Sequence, residues 1–241
     1  MFDKKTSLAQ SGIFEDYVDI HSHMLCGVDD GATTARESEG MIKRFKELGL
    51  KKCVLTPHIM QNRYNNQTAD LSAQFNKYIA PLALKYDIEL ALGAEYMIDE
   101  ALKKRYADGK KLLTIAPNTV LTEITMSMER MGWENEIYNL NLAGYDVILA
   151  HPERYPYMRE ERLRELKNRG TRLQLNFLSL QGWYGRSSME RGKELLKAGI
   201  YDHIASDVHY LSMIEDIENT VLDSKTIAAL KILAENNKYL K

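Results

Sequence analysis

"LKKCVLTPH" (residues 50–58) begins just past Gly49, runs through a short β-rich stretch and closes on a polar residue, His58. The segment before it, residues 34–48, has helical periodicity. Met41, Ile42, Phe45 and Leu48 share one face, Thr34 with Glu37 makes a capping box, and Gly49 supplies the stop. The same order of helix, glycine, short apolar strand and polar residue recurs in "LNLAGYDVILAH" (140–151), "LKNRGTRLQLN" (166–176) and "LLKAGIYDHIASD" (195–207). Adding the remaining strand-like runs gives seven, at about 17–20, 52–56, 88–93, 119–124, 146–150, 172–176 and 202–206. Such alternation implies an α/β chain with a mainly parallel sheet. Seven units in this length favour a closed or nearly closed barrel, with an open doubly wound sheet as the alternative.

The 241 residues suit a single domain over 1–241, with no Pro/Gly/Ser-rich linker to divide it. Residues 1–16 read as a polar lead. Residues 223–239 read as a final amphipathic helix whose Ile227, Leu230 and Leu233 pack on the barrel wall. With 32 basic and 34 acidic residues there is no electrostatic footprint for nucleic acid or an anionic membrane, which leaves a small or peptide-like partner. No apolar h-region follows Lys4 and Lys5, and no apolar run approaches the roughly 18 residues of a spanning helix, so a cytoplasmic chain without membrane insertion is expected. Cys26 and Cys53 are too few for a disulfide framework and read as free thiols.

The polar residues fall in a pattern. At or just past the C-terminal end of each strand stand His21 and His23, His58, Glu95, Glu123, His151, Asn176, and Asp207 with His209. In parallel α/β folds these ends converge on one mouth, so five of the six histidines would meet there. Each residue alone has a bland explanation: Glu95 could cap a helix, Glu123 could pair with a surface cation, and His203, inside the last strand, reads as structural. Corresponding positions on all seven strands argue for one shared cause. Carboxylates buried together need cations, and imidazoles beside carboxylates suit divalent transition metals. The period of a strand turns Ser22 away while His21 and His23 face one side, so two imidazoles can reach one ion.

Other chemistries fit less well. A cysteine-based tyrosine phosphatase needs an arginine six positions past its cysteine, but Ala32 and Ile59 stand there. The chain has no Walker-type loop and no Gly-x-Ser-x-Gly elbow, and its cysteines are wrongly spaced for structural zinc.

"DIHSHMLCGVDDGA" (19–32), "TPH" (56–58), "GAE" (93–95), "HPERY" (151–155) and "SDVH" (206–209) resemble, in order and spacing, the PHP (polymerase and histidinol phosphatase) superfamily. More narrowly, they are similar to its bacterial manganese-dependent protein-tyrosine phosphatases of capsule and exopolysaccharide operons. The resemblance covers about residues 17–210. It implies a distorted (β/α)7 barrel, related to the TIM barrel, with three divalent ions at its C-terminal mouth. Manganese is the implied metal, although such ligands also accept iron, zinc or cobalt. Carried over motif by motif, His21, His23, Glu95 and Asp207 would hold the first ion. Glu95 would bridge to a second held by Glu123 and His151, and Asp30, His58 and His209 would hold the third. Arg154 of "HPERY" would bind phosphate, a role its fork of N–H donors suits; its bland alternative is a salt bridge to Glu153 or a neighbour.

The activity so implied is hydrolysis of phosphotyrosine, on the tail of a bacterial tyrosine autokinase, by metal-activated water without a covalent intermediate. A small-molecule phosphatase of the histidinol-phosphate kind is the alternative, and a catalytically silent metal-binding module that docks a kinase is the third reading. Asp29 is left as a structural neighbour and Cys26 as a bystander. In one respect the chain departs from the family pattern. No arginine follows the last metal motif, since none occurs after Arg191, which leaves phosphate binding to Arg154 alone or with Arg63 or Arg186.

Overall fold

Seven parallel strands form where the sequence pattern places them. In the computed structural model, which describes residues 5–240, they are β1 (Val18–Asp19), β2 in two pieces (Lys52–Leu55 and His58–Ile59), β3 in two pieces (Glu89–Leu92 and Glu95–Met97), β4 (Thr119–Glu123), β5 (Asp146–Ala150), β6 (Arg172–Asn176) and β7 (His203–Ala205). Each strand pairs in parallel with the next, from Val18 beside Lys52 round to His203 beside Gln174. The ring closes between its ends. Ser22 bridges Val208 in parallel, Asp207 N–H donates to the His21 carbonyl at 2.9 Å, and His23 N–H donates to the Val208 carbonyl at 2.9 Å.

The breaks in β2 and β3 have local causes. Pro57 brings no N–H to the ladder. At Gly93 a Cβ would lie 2.8 Å from Cγ2 of Ile115, so the chain passes there only without a side chain. Beyond the breaks the two strands re-pair, with His58 directly beside Glu95.

Alternation along the strands separates two cores. Ile148 and Ala150 of β5 join Ile20, Val54, Leu121 and Ala205 in a small cluster inside the ring, while Val147 and Leu149 join the larger core under the helices. The helix Ala35–Leu48 shows how the outer layer attaches. Thr34 accepts the Glu37 N–H at its start, Gly49 stops it with φ +102°, and Met41, Ile42 and Phe45 are buried. Each such side chain contributes about 1.5–3 kcal/mol by leaving water.

Both chain ends also pack on the ring. Lys5–Ser7 pairs antiparallel with Val221–Asp223, and Leu8, Ile13 and Phe14 are buried, so residues 5–16 are more than a polar lead; residues 1–4 lie outside the described residues. The last helix, Ser224–Lys238, is capped by Asp223 and buries Ile227, Leu230 and Leu233. Its Asn237 Nδ2 donates to the carbonyls of Ile204 (2.7 Å) and Val18 (2.9 Å), tying β7 to β1. Cys26 and Cys53 are free and buried. Among the described residues no helix is long and apolar enough to cross a membrane.

Candidate metal centre

The nine candidate ligands named from the sequence meet at the C-terminal end of the ring. At the end of β1, Ser22 turns away and its hydroxyl donates to the Val54 carbonyl at 3.1 Å, while His21 and His23 point inward together. The Nε2 of His21 lies 3.3 Å from both Glu95 Oε2 and Asp207 Oδ1, and the Nε2 of His23 lies 3.5 and 3.3 Å from the same two oxygens. Each ring is oriented from behind. Gln174 Oε1 stands 2.9 Å from Nδ1 of His21, and Asp29 Oδ2 stands 2.8 Å from Nδ1 of His23. Acceptors at Nδ1 hold the proton there and leave the Nε2 lone pairs facing the cluster.

The other candidate ligands complete overlapping groups. His58 Nδ1 is 3.0 Å from Glu95 Oε2 and 2.9 Å from Glu123 Oε1, and its Nε2 is 3.5 Å from Asp30 Oδ1. His209 Nε2 lies 3.6 Å from that same Asp30 oxygen, and His151 Nε2 lies 3.0 Å from Glu95 Oε1. Ligand atoms of His23, Asp30, His58 and His209 all fall within 4.8 Å of one another, as do those of His58, Glu95 and Glu123 and those of His21, His151 and Asp207. This grouping differs from the one implied by resemblance, which set Glu123 with His151. Here Glu123 approaches His58, and His151 approaches Glu95 from the other side.

These residues fit divalent cations. Buried Nδ1 of His58, Oε2 of Glu95, Oε1 of Glu123 and Nδ1 of His151 make no hydrogen bond, although three of these atoms crowd together at about 3 Å. Such atoms converge as ligands around a centre rather than pairing as donor and acceptor. Charge points the same way. Burial pulls the His23 imidazole down, yet Asp29, Asp207 and Glu95 hold it well above the ordinary range. For His58, burial and neighbouring His23 also lower it, and Glu95 and Glu123 outweigh them to raise it to about 10. A cluster that draws protons this strongly lacks positive charge, which divalent ions supply.

Backbone geometry serves the same site. His151 and Asp207 hold φ at +37° and +52°, an unfavourable region for residues with a Cβ, where each turns its side chain into the mouth. Gly31 lets the loop after β1 fold onto that strand's end: a Cβ there would sit 1.9 Å from the His23 carbonyl oxygen. This places Asp29 behind His23, where Oδ2 also accepts the His58 N–H at 3.0 Å, and Asp30 in front.

Asp207 is held in place by its neighbours. Its Oδ2 accepts from Asn176 Nδ2 (2.6 Å), Arg154 Nη1 (3.0 Å) and the Tyr184 hydroxyl (3.2 Å), which leaves Oδ1 toward His21 and His23. Arg154 comes from the turn Pro152–Arg154 after β5, and its guanidinium lies 4.0 Å over the Tyr184 ring, with 19% of the side chain exposed. Glu153 is not its partner. That carboxylate is buried and accepts from Asn176 N–H, the Ser179 hydroxyl and the Tyr201 hydroxyl. Arg63 Nη2 stands 3.4 Å from Asp30 Oδ2, whereas Arg186 is turned along its own helix to Glu190.

Three residues behind the candidate ligands were not singled out from the sequence. Gln174 lies two positions before Asn176 and shares its face, a signal the strand alternation carries. Asp19 accepts the N–H of Ser206 at 3.0 Å and ties β1 to β7; burial pushes its carboxyl up to about 6. Tyr184 sits in the short turn between the 3-10 stretch Phe177–Gln181 and the helix Arg186–Lys197, and nothing in the local pattern marks it. His203 is remote in role: its Nδ1 pairs with Asn237 Oδ1 at 3.1 Å, near the start of β7.

Comparison with known proteins agrees with this geometry. The family model described as capsular polysaccharide synthesis, CpsB/CapC, matches residues 17–216. The tyrosine-protein phosphatase YwqE of Bacillus subtilis is 30% identical over 199 residues, covering 80% of this chain and 77% of the relative. The tyrosine-protein phosphatase CpsB of Streptococcus pneumoniae is 27% identical over 205 residues, covering 80% and 83%. Among solved structures, one from work on YwqE and CpsB, described as metal-dependent tyrosine phosphatases, superposes with a TM-score of 0.72 at 25% identity over 92% of this chain and 93% of that one. A histidinol phosphate phosphatase from Lactococcus lactis shares the fold alone, at TM-score 0.53 and 15% identity over 92% and 94%.

Proposed function

The chain belongs to the CpsB/CapC family of capsular polysaccharide synthesis, and from that membership and its site we propose that it is a metal-dependent protein-tyrosine phosphatase. The substrate we assign is the phosphorylated tail of a bacterial tyrosine autokinase that controls capsule or exopolysaccharide synthesis, met in the cytoplasm. The carrying observation is the convergence of five imidazoles with Asp30, Glu95, Glu123 and Asp207, with the Arg154 guanidinium 3.0 Å from Asp207 at the edge of that cluster.

In this reading His21, His23, Asp30, His58, Glu95, Glu123, His151, Asp207 and His209 hold three divalent ions, with manganese as the native metal. When bound, such ions supply activated water and Lewis-acid stabilisation of phosphoryl oxygens. The protein's own contributions are distinct. Gln174 and Asp29 fix the ring orientation of His21 and His23, and the donors on Asp207 Oδ2 fix that carboxylate. Arg154 presents N–H donors to the phosphoryl oxygens and neutralises charge that grows as the bond to the leaving oxygen lengthens. Water's oxygen bonds to phosphorus as the phosphorus–tyrosyl oxygen bond breaks, and the tyrosyl oxygen recovers a proton. With a phenol pKa of about 10 that oxygen leaves without a strong general acid.

The test is hydrolysis of a phosphotyrosine peptide by purified chain across a metal series, with elemental analysis alongside. The reading expects manganese-stimulated turnover, several ions per chain, and loss of activity in His21→Ala and Asp207→Ala. A higher kcat/KM on histidinol phosphate would replace it with the small-molecule reading. Fully metallated protein without activity would leave only the silent docking module.

A further inference from the structure

Two guanidiniums flank the cluster, and they are built alike. Arg154 pairs with Asp207 and lies over the Tyr184 ring at 4.0 Å. On another side Arg63 pairs with Asp30 and lies over the Tyr64 ring at 5.0 Å. Tyr64 in turn stacks on His58, with ring centroids 5.4 Å apart and planes 7° from parallel. A guanidinium, a phenol and a candidate ligand imidazole therefore form one pile at the mouth.

The loop that carries this pile is held. Met60 and Tyr64 exchange backbone hydrogen bonds at 2.9 Å, and Asn62 takes φ +65° to close the turn. Asn66 Nδ2 then donates to the carbonyls of Val28 (2.9 Å) and His58 (2.8 Å), locking the loop to both β1 and β2 connections. Arg63 is thus presented from a defined place, although 62% of its side chain is exposed.

Its pairing leaves it available. Asp30 turns Oδ1 toward His58 and His209 and Oδ2 outward to Arg63, so the guanidinium stands one carboxylate away from the ligand group. At 3.4 Å and largely in water, this ion pair is weak and easily exchanged for a stronger one. A dianionic phosphoryl group offers that exchange, since bidentate charged hydrogen bonds are shorter and stronger. Arg162 is held more tightly, at 2.5 Å from both Glu129 and Glu134, and Arg186 pairs along its own helix with Glu190 rather than with a candidate ligand.

We propose that Arg63, stacked on Tyr64 and poised against Asp30, is a second phosphate-binding residue that closes on the substrate phosphoryl group opposite Arg154. The proposal rests on the phosphatase reading for its substrate, but its core claim concerns phosphate affinity. The experiment titrates inorganic phosphate into manganese-loaded full-length chain by calorimetry, with wild type, Arg63→Ala and Arg63→Lys, and measures metal content in each. KM and kcat on p-nitrophenyl phosphate are read in parallel.

Arg63→Ala should weaken phosphate binding about tenfold, near the low end for loss of a charged hydrogen bond. KM should rise by a similar factor with metal content unchanged, and Arg63→Lys should recover part of the loss. Because p-nitrophenyl phosphate carries no peptide, a rise in its KM assigns the contact to the phosphoryl group. Unchanged phosphate affinity overturns the proposal, as does a loss that tracks metal content, which would make Arg63 a support for Asp30. Wild type that binds phosphate but hydrolyses no aryl phosphate would sink the phosphatase reading, and the titration would still decide the role of Arg63.

Discussion

Asp29 Oδ2 lies 2.8 Å from Nδ1 of His23, at the ring nitrogen that does not face Glu95 and Asp207. The carboxylate is buried, and burial alone would raise it. The pull of His23 and then His58, with the Gly31 N–H bond, holds it below its ordinary value. Asp29 is therefore an anion that aims an imidazole. Asp29→Ala should lower metal affinity about ten- to a hundredfold, the usual cost of losing a residue that orients a ligand. Metal titration followed by elemental analysis checks it, with circular dichroism to show the fold is kept.

Gly31→Ala should be more damaging than its size suggests. The added methyl would meet the His23 carbonyl oxygen at 1.9 Å, so the loop bearing Asp29 and Asp30 must move off β1. Loss of about 2 kcal/mol or more in denaturant unfolding is expected, together with reduced metal content. A variant with full stability and metal content would contradict this account of the loop.

Arg154 should act on the transition state rather than on the metals. Arg154→Ala is expected to lower kcat/KM on phosphotyrosine peptide by about 10²–10³ with metal content largely retained, because Asn176 and Tyr184 still hold Asp207 Oδ2. Arg154→Lys should remain well below wild type, because a lysine keeps the charge but not the fork that can hold Asp207 and a phosphoryl oxygen together.

Removing metal should cost stability as well as activity. Buried carboxylates and imidazoles without hydrogen bonds lose their compensation, so chelated chain should melt on the order of 10 °C lower, as expected for a ligand held at about a thousandfold above its Kd. Differential scanning calorimetry with and without manganese reads this directly. An unchanged Tm would count against ions in the cluster.

His203 predicts a separate pH dependence. Burial lowers it from 6.5 to about 4, and its hydrogen bond to Asn237 only partly offsets this; Arg172 and Lys167 lower it further, while Asp202 raises it. Between those values the unfolded chain binds a proton that the folded chain refuses. Stability contributed by the neutral ring is therefore full above about pH 6.5 and is lost as pH falls toward 4, by roughly 2–3 kcal/mol. His203→Gln should flatten the stability profile over that window relative to wild type, measured by urea unfolding at stepped pH.

Strand positions, and the polar residues that stand at the strand ends and meet at the mouth, were legible in the chain itself. Periodicity is local, so "LKKCVLTPH" and its three echoes announce strand, break and polar end without any knowledge of the whole, and His21, His23 and His58 can be named from where their strands stop. Gln174 was within reach by the same alternation. Residues 5–16 were harder, because Leu8, Ile13 and Phe14 are buried by a strand pair with residues 221–223 at the far end of the chain.

What only the tertiary structure decided is how distant positions face one another. Closure of the ring between Ser22 and Val208 sets Asp207 against His21 and His23 across more than 180 residues of chain. It also places Glu123 beside His58 and gives Arg154 to Asp207 and Tyr184 rather than to Glu153. Sequence spacing fixes which residues stand at strand ends, since backbone geometry acts over a few residues. Their grouping depends on strand register, loop path and the left-handed turns at His151 and Asp207, which exist only once the ring is closed.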